Sequence, residues 1–221
     1  CLPSTTNTLS STSSTGTLCG CAYAALGDAA KSDHWFDALE GKACGNAFDN
    51  RMVRKGPALK SRQNPPLKCF ELLYHLSQLS RSKGADWMHG GLDLVNQHSY
   101  DDGSSPPTAL GEACVLNLLK GVMHSCAGES DEARLCLGKI QVEGGGLAND
   151  AADSWILPYA EFELAVVDIR ERKYDEAKVR LDRVNDWPTA DYQFSDHLAY
   201  RSKGASDQLQ QMVKLRTGHH A

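Results

Sequence analysis

Histidine, cysteine and carboxylate side chains are the first candidates for chemistry in this chain, and none of them falls into the spacing of a common catalytic motif. The sequence contains no GxSxG, GxxxxGK[ST], GxGxxG, HExxH or EF-hand pattern. The glycine run 144–146 lacks the Lys-Ser/Thr pair that a phosphate loop needs, so it predicts a flexible linker. We therefore expect no catalytic residue and no bound cofactor.

The cysteines and histidines are weak candidates for a metal or nucleophilic site. Eight cysteines in 221 residues are too few for a disulfide-stapled secreted domain, and no CxxC pair occurs among them. Cys19 and Cys21 form one close pair, but a free thiol at helical spacing usually behaves as a small hydrophobe. We expect no metal ligands. An enzyme would need a pocket that brings together His124, Cys126 and a carboxylate.

The charge balance excludes a dedicated nucleic-acid binder. The chain has 23 Lys+Arg against 28 Asp+Glu, which gives a net charge of −5. The basic stretch 51–68 lacks interleaved aromatic residues, and we interpret it as a solvated surface, with an acidic partner or an anionic lipid headgroup as the alternative. The mixed charges of 168–176 predict a solvated helix-turn face with weak ion pairs. No apolar run is long enough to span a bilayer.

The elements that must position these residues are predicted to be helical throughout. From Tyr23 onward, apolar residues recur at spacings of three and four, and no stretch alternates with the period of a strand. The clearest helices are expected at 115–126, 67–79 and 155–169, and Ser154 is the predicted N-cap of the last. The fold class that follows is an all-α helical-hairpin solenoid.

The predicted domain organisation has four parts. Residues 1–18 are rich in Ser and Thr and are expected to be a disordered tail. Residues 19–106 form an N-terminal helical segment, residues 107–215 form two hairpins and a closing helix, and residues 216–221 form a second tail.

An internal repeat is the most specific signal in the sequence. Residues 130–140 align with residues 174–184 at an offset of 44, with identical Asp, Glu, Ala and Leu positions. A small residue, an alanine twelve positions later and a large apolar residue four positions after that are typical of tetratricopeptide hairpins, since small side chains let the two helices approach closely. The residues that define the repeat are Gly121, Gly128, Ala133, Leu137, Ala165, Tyr174, Ala177 and Leu181.

The order of these motifs resembles the C-terminal half of the tetratricopeptide repeat protein 39 family, whose fungal members are called inclusion-body clearance proteins. The resemblance rests on LLKGV at 118–122, GESDEA at 128–133 and WILPYA at 155–160 followed by ELA at 163–165. It implies a non-enzymatic helical-repeat adaptor that is linked to lipid and protein-quality homeostasis.

The repeat register also predicts a partner groove on the first helix of each hairpin. The predicted lining is mostly apolar and contains one basic residue, which argues against clamping of a peptide carboxylate and favours an amphipathic helix. The alternative is that other helices of the same chain, such as 67–79, cover this face. The groove residues are Val115, Leu118, Val122, Tyr159, Phe162, Val166 and Arg170.

The function expected from these patterns is a scaffold that binds protein partners in the cytoplasm, without catalysis. The alternative is a helical lipid- or sterol-binding module at lipid droplets or at the mitochondrial surface, which the apolar groove and the basic stretch would serve. A nuclear location is compatible with the same residues.

Replacing Phe162 with Asp distinguishes an open groove from a covered one. If the groove is covered by the chain itself, we expect Phe162→Asp to abolish folding, because a carboxylate would be buried without a partner. An open groove predicts a folded variant that has lost only its partner. Circular dichroism and a thermal melt give the answer.

Overall fold

A computed structural model describes residues 13–39, 47–62, 64–77, 79, 84–97, 110–149, 153–188, 192 and 194–218. Within these ranges every regular element is helical and no strand occurs, which confirms the predicted all-α class. The chain divides into two compact units, Cys1–Leu72 and Leu73–Ala221. The helices are α1 Ser13–Ala25, α2 Ala29–Asp37, α3 Ala47–Ser61, α4 Pro65–His75, α5 Ala85–Gln97, α6 Leu110–Ala127, α7 Ser130–Glu143, α8 Ile156–Arg170, α9 Tyr174–Asn185 and α10 Ser195–Gly218.

The first unit begins with a hairpin of α1 and α2. A Cβ atom on Gly16 would lie 2.7 Å from Leu39 Cδ2, and one on Gly20 would lie 2.9 Å from the Phe36 ring. The Ser32 hydroxyl donates a hydrogen bond of 2.8 Å to the carbonyl oxygen of Gly20. Of the predicted disordered tail 1–18, residues 1–12 lie outside the described residues, and residues 13–18 belong to helix α1. The buried residues that the structure describes in α1 are all small, namely Gly16, Thr17, Gly20, Cys21 and Ala24.

Helix α4 shows how local sequence sets a helix boundary. The Asn64 side chain accepts a hydrogen bond of 3.0 Å from the Leu67 amide, and Pro65 occupies the first helical position, where a missing N–H has no cost. The helix ends at His75, and Ser77 has a left-handed backbone with φ 56°. The predicted helix 67–79 is therefore four residues too long at its end.

In the second unit, consecutive helices from α5 to α10 pack against each other along the chain, as in a helical-hairpin solenoid. Helices α6 and α7 approach closely at Gly121, where a Cβ atom would lie 2.6 Å from Leu137 Cγ. Ala133 and Ala177 are fully buried at equivalent positions of α7 and α9. The predicted pairing of a small residue with a buried alanine and leucine therefore describes the actual contact.

The turns of the two hairpins in this unit have the same geometry at the offset of 44. After α6, the amides of Gly128 and Glu129 donate to carbonyl oxygens of the last helical turn at 3.2 and 2.9 Å. After α8, the amides of Arg172 and Lys173 do the same at 3.1 and 2.9 Å. The first residue of each pair has a left-handed backbone, with φ 90° at Gly128 and φ 62° at Arg172. Both are helix-terminating turns of the Schellman type.

The α1–α2 hairpin has this register as well, which the sequence analysis missed. Gly27 has φ 76°, and the amides of Gly27 and Asp28 donate to carbonyl oxygens of α1 at 3.0 and 2.9 Å. Gly20 precedes Gly27 by the seven positions that separate Gly121 from Gly128. In the same register, Ser32 occupies the position of Ala133, and Phe36 occupies the position of Leu137. The spacing was present in the sequence, but serine and phenylalanine replace the residues that the pattern favours.

The segment between α7 and α8 differs from its prediction. The glycine run forms a 3₁₀ helix, Gly144–Asn149, rather than a flexible linker. Gly144 is buried, and a Cβ atom there would lie 2.9 Å from Leu157 Cδ2, so a larger residue would require that side chain to shift. Ser154 lies in the turn before α8 and is not its N-cap, because the residue at that position is Trp155.

Helix α8 is the centre of the second unit. All but two of its fifteen residues are buried, and it contacts the helices before and after it as well as α6 and α10. Helix α10 extends to Gly218, so the predicted tail from residue 216 is helical over its first three residues. No helix in the described part of the chain combines the length and apolarity required to cross a membrane.

The close approach at Gly121 can be tested with two glycine variants. We expect Gly121→Val to lower the free energy of unfolding by about 2–3 kcal/mol, because its side chain would overlap Leu137. Gly138 in α7 has no atom within 4 Å of its Cβ position, so Gly138→Ala is expected to raise stability by up to about 1 kcal/mol. Urea unfolding measures both. Equal effects of the two variants would contradict the assigned contact.

Candidate interaction surface

The seven predicted groove residues lie on α6 and α8, but most of them are not accessible. Val115, Leu118, Val122, Tyr159 and Phe162 are at most 3% exposed. Val166 is half-buried and Arg170 is exposed. The prediction of an open apolar groove is therefore wrong at these five positions. The alternative, coverage by the same chain, describes them correctly.

Aromatic side chains cover the α8 part of this face. Tyr74 and His75, at the end of α4, lie against Trp155 and Tyr159 at the start of α8, and the His75 and Trp155 ring centroids are 4.5 Å apart. The His75 ring stacks on Phe194 at 4.1 Å. The Tyr159 hydroxyl donates to the carbonyl oxygen of Phe194 at 3.0 Å. This cluster covers Tyr159, one of the residues that were predicted to face a partner helix.

A buried charged group lies beside the aromatic cluster. Arg201 of α10 donates from Nη2 to Glu163 Oε1 at 2.7 Å and from Nη1 to the Tyr74 hydroxyl at 3.1 Å. Tyr74 itself donates to Glu163 at 2.8 Å. The guanidinium also lies 4.5 Å above the centroid of the Phe162 ring. Each polar group of this triad therefore has a partner, which is what burial of a carboxylate in a helix core requires.

The triad shifts the protonation of its own members. Burial, together with the nearby Glu163 carboxylate, raises the pKa of Tyr74 well above 10.0. Burial alone would lower the pKa of Arg201, but Glu163 and Tyr74 outweigh it and raise that pKa. Tyr74 therefore remains a neutral donor and Arg201 a cation at any ordinary pH.

A second charged network joins the two hairpins. Arg134 of α7 contacts Asp168 of α8 at 2.6 Å, and Arg180 of α9 contacts the same carboxylate at 2.9 Å. Arg180 also reaches Glu161 at 3.1 Å. Asp168 and Glu161 are 1% and 4% exposed, so the prediction of a solvated face is wrong for Asp168. The prediction of a solvated face is closer to the structure at Glu171, whose side chain is partly exposed.

Glu171 completes this network at the surface. Hydrogen bonds from Lys173 at 2.7 Å and from Arg134 at 2.5 Å lower the pKa of Glu171 to about 2. The carboxylate therefore stays ionised and neutralised by its two partners across the ordinary pH range.

The basic stretch in the first unit is also partly internal. Lys55 and Arg62 are fully or nearly buried, and both contact the buried Glu71, at 2.5 and 3.1 Å. Burial would raise the pKa of Glu71, but the two cations outweigh it and lower that pKa. Lys68 is buried as well and donates to the carbonyl oxygen of Lys60 at 3.0 Å. The interpretation of this stretch as a solvated surface is wrong for these three side chains.

The groups that an enzyme would need have other partners. His124 contacts Glu129 at 2.6 Å, and His89 contacts the other oxygen of that carboxylate at 2.8 Å. Burial raises the pKa of the Cys126 thiol, although the nearby Arg170 cation acts in the opposite direction. Within the described ranges, no group of three or more His, Cys, Asp or Glu side chains could hold a metal ion.

Cys21 of the predicted close pair contacts a cysteine far along the sequence instead. The Cys69 thiol donates to the carbonyl oxygen of Cys21 at 3.0 Å. The neighbouring Cys69 thiol, together with burial, raises the pKa of Cys21. Cys21 is therefore held as a thiol inside the first unit.

Open concave surface is found instead between the α8–α9 turn and α10. A groove of about 780 Å³, which we name the arginine groove, lies at the exposed end of the predicted partner face. A second groove of about 470 Å³ follows α9 and α10. Sequence reasoning missed the arginine groove because three of its seven lining residues come from α10, outside the repeat. Its lining residues are Ile169, Arg170, Arg172, Tyr174, Gln208, Met212 and Arg216.

Comparisons with known proteins add no relative to this description. A scan against protein-family models and searches of curated proteins and of solved structures return no match for the chain.

The buried Tyr74 predicts a specific loss of stability in alkali. Because its pKa is higher in the folded than in the unfolded chain, its contribution is complete below about pH 10 and falls as the pH rises above that value. We expect Tyr74→Phe to lower the free energy of unfolding by about 2 kcal/mol at pH 7, through loss of the bond to Glu163.

The difference between Tyr74→Phe and the unchanged protein should then shrink above about pH 10, since the phenylalanine has no proton to lose. Urea unfolding at a series of pH values measures this difference. A constant difference across the series would show that Tyr74 is not held in its neutral form.

Proposed function

We propose that this protein is a non-enzymatic, tetratricopeptide-like scaffold that binds a protein partner in the cytoplasm. The observation that carries the proposal is the pair of α6–α7 and α8–α9 hairpins in one register, with an open groove beside α10. Helical repeats of this kind expose extended concave surfaces and commonly use them to bind peptides.

The cysteines support the cytoplasmic part of this proposal. The described cysteines, including Cys21, Cys69 and Cys114, are free thiols, as is usual for a protein of a reducing compartment. We also propose that the chain is a member of the tetratricopeptide repeat protein 39 family, which is linked to lipid and protein-quality homeostasis. It rests on the LLKGV and ELA motifs in α6 and α8.

Residues that favoured the lipid-binding alternative are buried. That alternative relied on an open apolar groove around Leu118 and Phe162, and both side chains are buried against the chain itself. It also relied on an exposed basic stretch, but Lys55 and Arg62 of this stretch are buried and contact Glu71. We therefore favour a protein partner.

Site-specific photo-crosslinking tests this function directly. A photoreactive phenylalanine analogue is placed at Gln208 in the arginine groove or, as the matched control, at the exposed Lys139 of α7. Each purified full chain is illuminated in extract from the cells that produce it. We expect a protein adduct from position 208 that an excess of the unlabelled chain suppresses.

Position 139 should give no such adduct, because it lies outside the groove. Identical adducts from both positions, or a lipid adduct in place of a protein adduct from position 208, would contradict the proposal. Mass spectrometry identifies the attached molecule in each case.

A further inference from the structure

The arginine groove carries an unbalanced positive charge. Its lining contains three arginines and no carboxylate, although the chain as a whole is acidic. Arg170, Arg172 and Arg216 are all exposed at this groove. The nearest carboxylate in the sequence, Glu171, already contacts Lys173 and Arg134. The positive charge of the groove is therefore available to a ligand.

Arg172 holds a backbone conformation that a different residue would adopt more easily. Its φ of 62° lies in the left-handed region, where the equivalent turn residues of the other two hairpins, Gly27 and Gly128, are glycines. A non-glycine residue in this region costs conformational free energy, and such strain is often kept at functional sites. The Arg172 side chain lines the groove, and a glycine at this turn would have no side chain to contribute.

Arg170 is fixed in place beside it. Its Nη1 atom donates to the hydroxyl oxygen of Ser125 at 2.5 Å and also to the Ser125 carbonyl oxygen. A guanidinium that is already ordered loses less conformational freedom when it binds an anion. The groove therefore offers three exposed guanidinium groups, of which that of Arg170 is held in place by Ser125.

The remaining lining is apolar or uncharged and suits side chains rather than free ions. Ile169, Tyr174 and Met212 contribute apolar surface between the arginines, and Gln208 contributes an amide. Aromatic, methionine and arginine side chains are enriched where peptides and proteins bind. A concave surface of this mixture fits a chain segment that alternates carboxylates with apolar side chains.

We infer that the arginine groove binds an acidic, partly apolar peptide segment of the protein partner. The carboxylates of the segment would contact Arg170, Arg172 and Arg216, and an apolar side chain would lie against Ile169 and Met212. Arginine binds carboxylates through two parallel hydrogen bonds, which gives direction as well as affinity. This inference rests on the proposed function, because it names the chemistry of the partner at the same groove.

Fluorescence anisotropy with synthetic peptides tests the inference on the full chain. The probe is a labelled peptide of about twelve residues in which Glu alternates with Leu, and its control has Gln at every Glu position. We expect the acidic peptide to bind at least about tenfold more tightly than the Gln peptide, with an affinity that falls as salt is added.

Arg172→Gly is the decisive variant, since glycine is the residue that the turn itself favours. We expect it to keep or raise the thermal midpoint and to weaken acidic-peptide binding about tenfold. Lys139→Ala removes a cation outside the groove and should leave binding unchanged. Unchanged affinity in Arg172→Gly, or equal loss in both variants, would overturn the inference.

The remaining outcomes separate this inference from the proposed function. Displacement of the peptide by inorganic phosphate alone, or stronger binding to phosphatidylserine vesicles than to the peptide, would overturn the peptide assignment. If the acidic peptide does not bind but position 208 still crosslinks to a protein, the acidic chemistry is wrong and the scaffold function stands. If neither is seen, both proposals fail.

Discussion

The approach of paired helices at one small residue is the constraint on which the rest of the structure depends. In the α1–α2 hairpin Gly20 lies against Phe36, and in the α6–α7 hairpin Gly121 lies against Leu137, in each case too close for an added Cβ atom. A larger residue at either position would overlap its partner and force the helices apart, and a glycine turn that closes the hairpin follows seven positions later. The hairpin is therefore determined by two positions that contribute almost no apolar surface.

Charged residues then fix how the helices of each unit are arranged. In the first unit Glu71 is buried between Lys55 and Arg62, and in the second Asp168 is shared by Arg134 and Arg180. Burial of such groups adds little net stability, since desolvation offsets the attraction. Removing one partner leaves the other charged and buried, so these networks penalise alternative packings of the same helices more than they stabilise the observed one.

The sequence was sufficient to predict the helical class, the repeat offset and the buried alanines, because these follow from periodicity and local spacing. It was not sufficient for the groove. Phe162 fits the pattern of a partner-facing residue, yet Arg201, from a helix with no repeat motif, covers it. Contacts between elements distant in sequence are not encoded in local patterns. The same holds for Asp168. Its mixed-charge surroundings in the sequence predict a solvated face, but it is buried and contacts Arg180.

Helix α8 is enclosed by its neighbours on almost every side, and this has a consequence for how the second unit opens. A surface helix can fray or detach while the rest of a domain stays folded. Detaching α8 would expose Trp155 and Tyr159 and would also leave Glu163 and Asp168 without their cations. We therefore expect its backbone amides to exchange with solvent deuterium mainly through unfolding of the whole unit.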